Sequence, residues 1–213
     1  LARITGPSPT ILGKKRFPCP TLTRMLVPIM ASASSDLLLL CIDLQPTFLA
    51  SMPEGPATLR RCQLAVATAA GLGLPIAFTE QVPAKLGRTE PTLRALAPDA
   101  AVWPKHAFSA LADPVIHHAL SSERAVNHLL LCGLETAVCV YQTAADALAE
   151  DIQVTLLSDA VCGRRSNDSA AALAALTRLG AHVLPVETVF YSLLHDAEHP
   201  FFRSFTALVK AHS

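Results

Sequence analysis

The sequence predicts an α/β domain in which helices cover both faces of a parallel β-sheet. From position 36 onward, short leucine-rich or β-branched runs alternate with longer alanine-rich stretches, which is the pattern of strands alternating with helices. The strand runs are continuously apolar, as is typical of strands buried on both faces. A hydrophobic share of 51% against 16% charged residues favours the same buried sheet. Right-handed crossovers are expected to join the strands.

Six runs of the sequence predict strands and five predict helices. Asp113 is a good N-cap for the helix over 114–120, and Gly180 ends the helix over 168–179. Residues 81–100 contain four glycine or proline breakers among charged residues, so we expect a long loop with one helical turn at 92–96. The predicted strands are 37–42, 75–79, 101–103, 127–132, 152–157 and 182–186, and the predicted helices are 58–72, 114–120, 136–150, 168–179 and 201–210.

Residues 1–35 are basic, rich in proline and serine, and free of acidic residues. We expect them to form a disordered or leader-like tail before a domain over 36–213. Such a composition is typical of a mitochondrial transit peptide, although its prolines oppose a continuous amphipathic helix. Because the chain starts with Leu1 and Met30 opens the sequence MASASSD, upstream translation or an appended remnant is an equal alternative. The expected location is cytoplasmic, or mitochondrial if the tail is a transit peptide.

Charge and composition narrow the classes of function. Seventeen basic residues cancel seventeen acidic ones, so the chain shows no footprint for nucleic acid or an anionic membrane, and a small-molecule substrate is expected. No apolar run approaches the ~20 residues that span a bilayer. The six cysteines form no CxxC pair and no disulfide framework, which favours a reducing compartment. The high apolar content also predicts a homo-oligomer, either a dimer, a tetramer or a larger assembly.

Three reactive side chains, Asp43, Lys105 and Cys139, fall at predicted strand ends. They should converge, because the crevice of an open α/β sheet lies beyond the carboxyl ends of its strands. A nearby ammonium and a helix N-terminus can lower the pKa of a cysteine from about 8.5 toward neutrality, and Lys105 and the amides from Thr136 onward are placed to supply both. A carboxylate can take the thiol proton and later deliver it to a leaving amine, so the set suits acyl transfer. Only an oxyanion hole is missing.

Three motifs resemble those of the isochorismatase-like cysteine hydrolases, which include nicotinamidases and N-carbamoylsarcosine amidases. The stretch GLETAVCV at 133–140 resembles their nucleophile motif. The stretch CIDLQPTF at 41–48 is similar to their first-strand motif with its aspartate, and WPKHAFSA at 103–110 to their lysine motif. The resemblance spans about 36–208 with the motifs in family order. It implies a Rossmann-like three-layer sandwich with a six-stranded parallel sheet and helices on both faces.

The resemblance also implies the roles of the site residues. Cys139 would attack the carbonyl of a small amide or related acyl compound to form a thioacyl intermediate, with Asp43 as general acid and base and Lys105 stabilising the thiolate. A cis peptide bond is implied between Leu134 and Glu135. The backbone amides of Glu135 and Cys139 would then form the oxyanion hole.

The expected pocket and metal content follow from neighbouring residues. Phe48, Gln45, Trp103 and Phe108 are predicted to line the substrate pocket. Nicotinamidases hold a metal with an aspartate and closely spaced histidines after the second strand, but residues 79–85 here read TEQVPAK. We therefore predict no metal and no cofactor, and nicotinamide is disfavoured as substrate. The longer stretch TEQVPAKLGRTEPTL resembles the isochorismatase-domain-containing hydrolases instead.

By spacing alone, each candidate has an ordinary structural alternative. Asp43 can cap a turn, Lys105 can be a solvated surface residue, and a buried cysteine is often a small hydrophobe. Two other functions also stay open. The protein could be a non-catalytic member of the fold that binds a metabolite or a partner, or it could be a redox-sensing thiol protein in which peroxide converts Cys139 to a sulfenic acid.

Overall fold

Six parallel strands form one sheet at the centre of the molecule, in the order β3-β2-β1-β4-β5-β6. The structure is a computed structural model that describes residues 36–123 and 126–212; the predicted tail, 1–35, lies outside the described residues. The sheet confirms the predicted α/β class. The strands are β1 (Leu37–Ile42), β2 (Ile76–Gln81), β3 (Ala101–Lys105), β4 (His128–Leu134), β5 (Gln153–Cys162) and β6 (His182–Leu184).

Helices surround this sheet in the described part of the chain. Two π-helical turns, Ala119–Glu123 and Thr136–Val140, lie before β4 and after it. None of the helices within the described ranges has the length and apolar character needed to cross a bilayer. The α-helices are α1 (Pro46–Ser51), α2 (Gly55–Gly71), α3 (Pro83–Leu86), α4 (Pro91–Leu96), α5 (Pro114–His118), α6 (Tyr141–Ala149), α7 (Ser166–Leu179), α8 (Val186–Leu194) and α9 (Phe202–Ala211).

The central strand β1 explains why its sequence is continuously apolar. All six of its residues are buried. Leu37 and Leu39 belong to a core that includes residues of α2, α8 and α9, whereas Leu38 and Leu40 belong to a second core with residues of α5, α6 and α7. Burying one such leucine contributes roughly 2 kcal/mol. Helices therefore cover both faces of the sheet, and a polar side chain at any position of β1 would be buried.

The strand β5 and the helix α8 differ from the sequence-based expectation because tertiary packing decides them. The strand β5 continues through polar residues to Cys162, since the Asp159 carboxylate accepts hydrogen bonds from Arg61 Nε at 2.7 Å and from Val186 N at 2.8 Å. The helix α8 was not predicted, because its sequence VETVFYSLL is rich in β-branched and aromatic residues. Its buried residues recur at helical spacing against the core and override that propensity.

Residues 81–100 form two short helices, α3 and α4, where one helical turn was predicted. Glu80 is buried and holds this segment through Thr89, whose backbone N and Oγ1 lie 2.8 and 3.0 Å from Glu80 Oε1. Gln45, which lies between β1 and α1, also holds it by donating through Nε2 to the carbonyls of Gln81 and Gly87. The segment is therefore fixed against the sheet by polar side chains that sequence periodicity does not reveal.

His128 is the first residue of the central strand β4, at the amino ends of the strands, and it is buried. Its Nε2 forms a hydrogen bond of 2.9 Å with Thr155 Oγ1, while Nδ1 has no hydrogen-bond partner. Burial, with a smaller contribution from the charge of His182, lowers the pKa of His128 to about 4 from its ordinary 6.5. This histidine is therefore neutral in the folded protein at physiological pH.

Candidate active site

The carboxyl edge of the sheet carries three strained turns. The first residues after β1, β2 and β4 are Asp43, Val82 and Glu135, with φ values of 51°, 40° and 56°. A left-handed backbone is unusual for residues other than glycine and costs about 1–3 kcal/mol at each position. These strands are neighbours, and the strand order reverses between β1 and β4. The strain thus gathers where ligand crevices form in open α/β sheets.

Lys105 ends β3 and is fully buried, with 0% of its side chain exposed. Its Nζ donates to Asp43 Oδ2 at 2.8 Å and to Gln81 Oε1 at 2.6 Å. The carbonyl oxygens of Ala107 and Phe108 lie 3.2 and 3.1 Å from the same nitrogen. These four oxygens compensate the ammonium for its removal from water. Lys105 is therefore an internal cation and not a solvated surface residue.

Asp43 connects the lysine to the cysteine. Its side chain is 1% exposed, and its second oxygen, Oδ1, accepts a hydrogen bond of 2.7 Å from Thr79 Oγ1. The same carboxylate acts on the Cys139 thiol and raises its pKa. The three side chains predicted to be catalytic therefore meet in one buried cluster, although the chain separates them by more than thirty residues each.

The environment of Cys139 keeps its thiol protonated. Burial is the largest cause and the Asp43 carboxylate the next, and together they raise the pKa of Cys139 to about 12 against the opposing charge of Lys105. Only 3% of the residue is exposed. The prediction of a lowered pKa is wrong for this state, because burial and nearby carboxylates outweigh one ammonium. Cys139 therefore rests as a thiol.

Cys139 lies in the π-helical turn before α6 and not in a regular helix. Val138 N and Val140 N both donate to the Glu135 carbonyl, at 2.8 and 3.3 Å. The predicted cis peptide between Leu134 and Glu135 is wrong, because no peptide bond within the described residues is cis and the chain turns instead through the φ of 56° at Glu135. The predicted oxyanion hole at the amides of Glu135 and Cys139 stays a prediction.

Gly133 allows this turn to start beside β1. It pairs with Ile42 across the two strands and has a φ of 134°. A Cβ at this position would lie 2.1 Å from the Ile42 carbonyl oxygen. Only glycine accommodates both the backbone angle and the close approach.

A cavity of about 590 Å³ opens beside Cys139. This volume lies within the range of small-molecule sites, about 300–1,000 Å³. Phe48 and Phe108, two of the four residues predicted to line a pocket, contribute aromatic walls. The lining comprises Thr47, Phe48, Ser51, Gln81, Leu86, Phe108, Glu135, Val138, Cys139 and Arg164.

The other two predicted pocket residues do not line this cavity. Gln45 is fully buried, and besides its two donated hydrogen bonds its Oε1 accepts one from Gln81 N at 2.8 Å. Trp103 lies on β3 and packs against the core on one face of the sheet. Gln45 thereby holds Gln81, which does line the cavity, from behind.

The roles of the Gln81, Glu135 and Arg164 side chains in the site were not predicted. Gln81 binds Lys105 Nζ, and its Nε2 donates to the His106 carbonyl at 2.8 Å. Glu135 was assigned only a backbone role, yet its carboxylate lies 2.5 Å from Arg164 Nε. Gln81 ends β2 and Arg164 follows the end of β5. These positions at the carboxyl ends of the strands could have indicated a role in the site.

Metal binding stays untested. Within 36–123 and 126–212, no three histidine, cysteine, aspartate or glutamate side chains converge closely enough to hold an ion. Glu80, the acidic residue near the end of β2, is buried, and its carboxylate accepts a hydrogen bond from Thr89. The absence of a metal requirement therefore remains a prediction.

The fold and the buried Asp43–Lys105–Cys139 cluster define a parallel α/β protein with its site at the reversal of strand order. The family model for the isochorismatase domain matches residues 37–188. The secreted isochorismatase effector Isc1 of Phytophthora sojae is 33% identical over 181 residues, which cover 84% of this chain and 86% of that protein.

Two further relatives cover nearly all of the described chain. Mouse isochorismatase domain-containing protein 2A is 34% identical over 178 residues, covering 83% of each chain. The solved structure of the MAR1 ribonuclease from Caenorhabditis elegans superimposes with a TM-score of 0.78 at 28% identity, covering 84% of this chain and 92% of that one. The chain thus belongs to the isochorismatase family, whose members are generally hydrolases.

Proposed function

We propose that this isochorismatase-family hydrolase cleaves a small amide, or a related acyl compound, through a thioacyl intermediate on Cys139. The observation that supports the proposal best is the buried Lys105–Asp43 ion pair, whose carboxylate acts on the Cys139 thiol and raises its pKa, beside a cavity that Cys139 lines. A nucleophile that rests protonated against a fixed base can lose its proton as it attacks. The raised pKa of Cys139 makes that coupling necessary.

Acylation would begin with attack of Cys139 Sγ on the carbonyl carbon while Asp43 accepts the thiol proton. Lys105 holds the Asp43 carboxylate in place and offsets negative charge that develops on the sulfur. The backbone amides of Glu135 and Cys139 are the proposed donors to the oxyanion. Collapse of the tetrahedral intermediate breaks the C–N bond, and Asp43 returns the proton to the leaving amine.

Deacylation would reuse the same carboxylate. Asp43 takes a proton from a water molecule that attacks the thioacyl carbon, and the second tetrahedral intermediate then breaks its C–S bond. The proton on Asp43 passes to the Cys139 sulfur, which restores the resting thiol. The sum is an amide and water converted to a carboxylic acid and an amine. We propose that this chemistry needs no metal and no other cofactor.

The redox-sensing alternative is disfavoured by the same geometry. Redox-sensor cysteines are solvent-accessible and have a lowered pKa. Cys139 is 3% exposed and its pKa is raised to about 12. A buried thiol beside a fixed carboxylate and an apolar cavity suits a substrate better than it suits peroxide.

Ammonia release from a panel of primary amides tests the proposal. We expect the wild-type protein to release ammonia from at least one amide and Cys139→Ala to release none. The control variant is Cys162→Ala, a buried cysteine at the end of β5 that does not line the cavity; it should retain turnover. Turnover that survives in Cys139→Ala would refute the thioacyl mechanism. Binding of an amide without turnover in the wild type would favour the non-catalytic alternative.

We also propose that the protein is a homo-oligomer. Large apolar side chains on its surface, including those of Phe108, Val115 and Leu179, are exposed in the single chain. Contacts between copies would remove them from water. Light scattering at micromolar concentration should give a mass of at least two chains, and a monomer mass would contradict the proposal.

A further inference from the structure

The cavity beside Cys139 has apolar walls and few polar groups that can reach a ligand. Phe48, Leu86, Phe108 and Val138 supply its apolar surface. Both ends of the Gln81 side chain are engaged, through its Oε1 to Lys105 and its Nε2 to a backbone carbonyl. An uncharged apolar group can enter such a space without leaving a polar group unpaired.

The hydroxyl donors in the wall are engaged as well. Thr47 Oγ1 donates to the Leu86 carbonyl at 2.9 Å, and Ser51 Oγ donates to the Phe48 carbonyl at 2.8 Å. A carboxylate on a substrate needs donors, because a desolvated anion without them is costly. Apart from the backbone amides proposed for the oxyanion, the neutral part of the wall therefore offers an anionic group no hydroxyl hydrogen and only the second hydrogen of Gln81 Nε2.

The charged groups in the wall are Glu135 and Arg164, and they bind each other. Glu135 is the buried partner, with 12% of its side chain exposed against 66% for Arg164. A substrate carboxylate that took Arg164 would leave the Glu135 carboxylate without its cation in a largely buried position. It would also bring a further negative charge near Glu135 and Asp43, whose charges already act on the Cys139 thiol.

We infer that the Glu135–Arg164 ion pair is a specificity determinant, which restricts the cavity to amides whose acyl group is uncharged and apolar. This inference rests on the proposed function for its meaning, because it names the substrate class of the same site. The pair neutralises the mouth of the cavity, while the four apolar side chains hold the acyl group.

Binding to the inactive Cys139→Ala protein tests the inference apart from turnover. The probes are hexanamide and the monoamide of adipic acid, which have the same chain length and differ in a terminal carboxylate. We expect hexanamide to bind at least about 100-fold more tightly, because the anion must lose its hydration and gains too few donors in return. Equal binding, tighter binding of the anion, or binding of neither amide would overturn the inference.

Substitution of the pair gives the sharper result. Adding Glu135→Gln to Cys139→Ala keeps the backbone amide at 135 and frees Arg164, so the preference for hexanamide should fall by about tenfold or more. Adding Arg164→Gln instead should leave the preference at least as large. The matched control is Arg165→Gln, whose residue is exposed and pairs with Asp168, and it should not change the ratio. An unchanged ratio in the Glu135→Gln protein would refute the inference.

Turnover by the wild-type protein separates this inference from the proposed function. Hydrolysis of the adipic monoamide at a rate equal to that of hexanamide would keep the proposed function and refute the specificity role. Tight, selective binding of hexanamide with no hydrolysis would keep the specificity role and refute the proposed function.

Discussion

The substitution Asp43→Asn should change the reactivity of Cys139 and the turnover of the protein in opposite directions. In the wild type, the pKa of Cys139 is raised to about 12 from an ordinary 9.0. Its thiolate fraction at neutral pH is therefore about a thousandfold lower than that of an ordinary thiol. Asp43 contributes to this rise chiefly through its negative charge. Asparagine removes the charge and leaves Lys105 nearby.

The expected size of the change follows from the loss of one carboxylate. A neighbouring charge shifts a pKa by roughly one to three units, so the thiolate fraction should rise about 10- to 1,000-fold. Thiolate nucleophilicity falls about threefold for each unit that the pKa falls. Alkylation of Cys139 by iodoacetamide should therefore accelerate about 3- to 30-fold. Amide turnover should be lost, because the base is gone.

Alkylation is measured at pH 7 to 9 by mass spectrometry of the peptide that contains Cys139, since the chain has other cysteines. The matched control is Asp99→Asn, an exposed aspartate before β3, which should leave both rates unchanged. Circular dichroism verifies that each variant is folded. If Asp43→Asn slows alkylation, or leaves it unchanged, the carboxylate does not hold the thiol in its protonated state and the proposed coupling fails.

Three further substitutions test what holds the site. Lys105→Met should lower the free energy of unfolding by about 3–5 kcal/mol in urea, because it leaves a buried carboxylate unpaired, whereas exposed Lys85→Met should change it by less than about 0.5 kcal/mol. Gly133→Ala should lower the free energy of unfolding more than Gly73→Ala does, because Gly73 also has a positive φ, of 69°, but has open space around it. Equal losses would contradict the close approach of position 133 to Ile42. The pKa of His128 is about 4 in the folded protein, so the unfolded state takes up this proton first as the pH falls below 6.5. The free energy of unfolding in urea should therefore fall by roughly 3 kcal/mol between pH 6.5 and 4. The substitution His128→Gln should flatten this pH profile.

Much of the fold could be predicted because the sheet is buried on both faces. The run at 37–42 has no polar position and coincides with β1. The helix α8 could not be predicted in the same way, because its β-branched and aromatic residues favour a strand. Only packing against the core makes this segment helical. The strand β5 was predicted too short, since nothing local shows that Asp159 is paired with distant Arg61.

The catalytic candidates were found because they occupy strand ends within recognisable motifs, and the structure brings Asp43, Lys105 and Cys139 together. The direction of the thiol pKa was missed, because it depends on burial and on the balance of several charges, none of which sequence spacing reveals. The Glu135–Arg164 pair was missed for a related reason. Glu135 and Arg164 lie in the turns that follow β4 and β5, and these turns come into contact only in the folded protein.

The central claim, a thioacyl intermediate on Cys139, is tested most directly by rapid acid quenching of the wild-type protein during turnover of a primary amide. Intact-mass analysis should show a species heavier by the acyl group, and peptide analysis should place that mass on Cys139. The species should be absent from Cys139→Ala. Steady turnover with no acylated protein at any quench time, or with turnover retained in Cys139→Ala, would contradict the account.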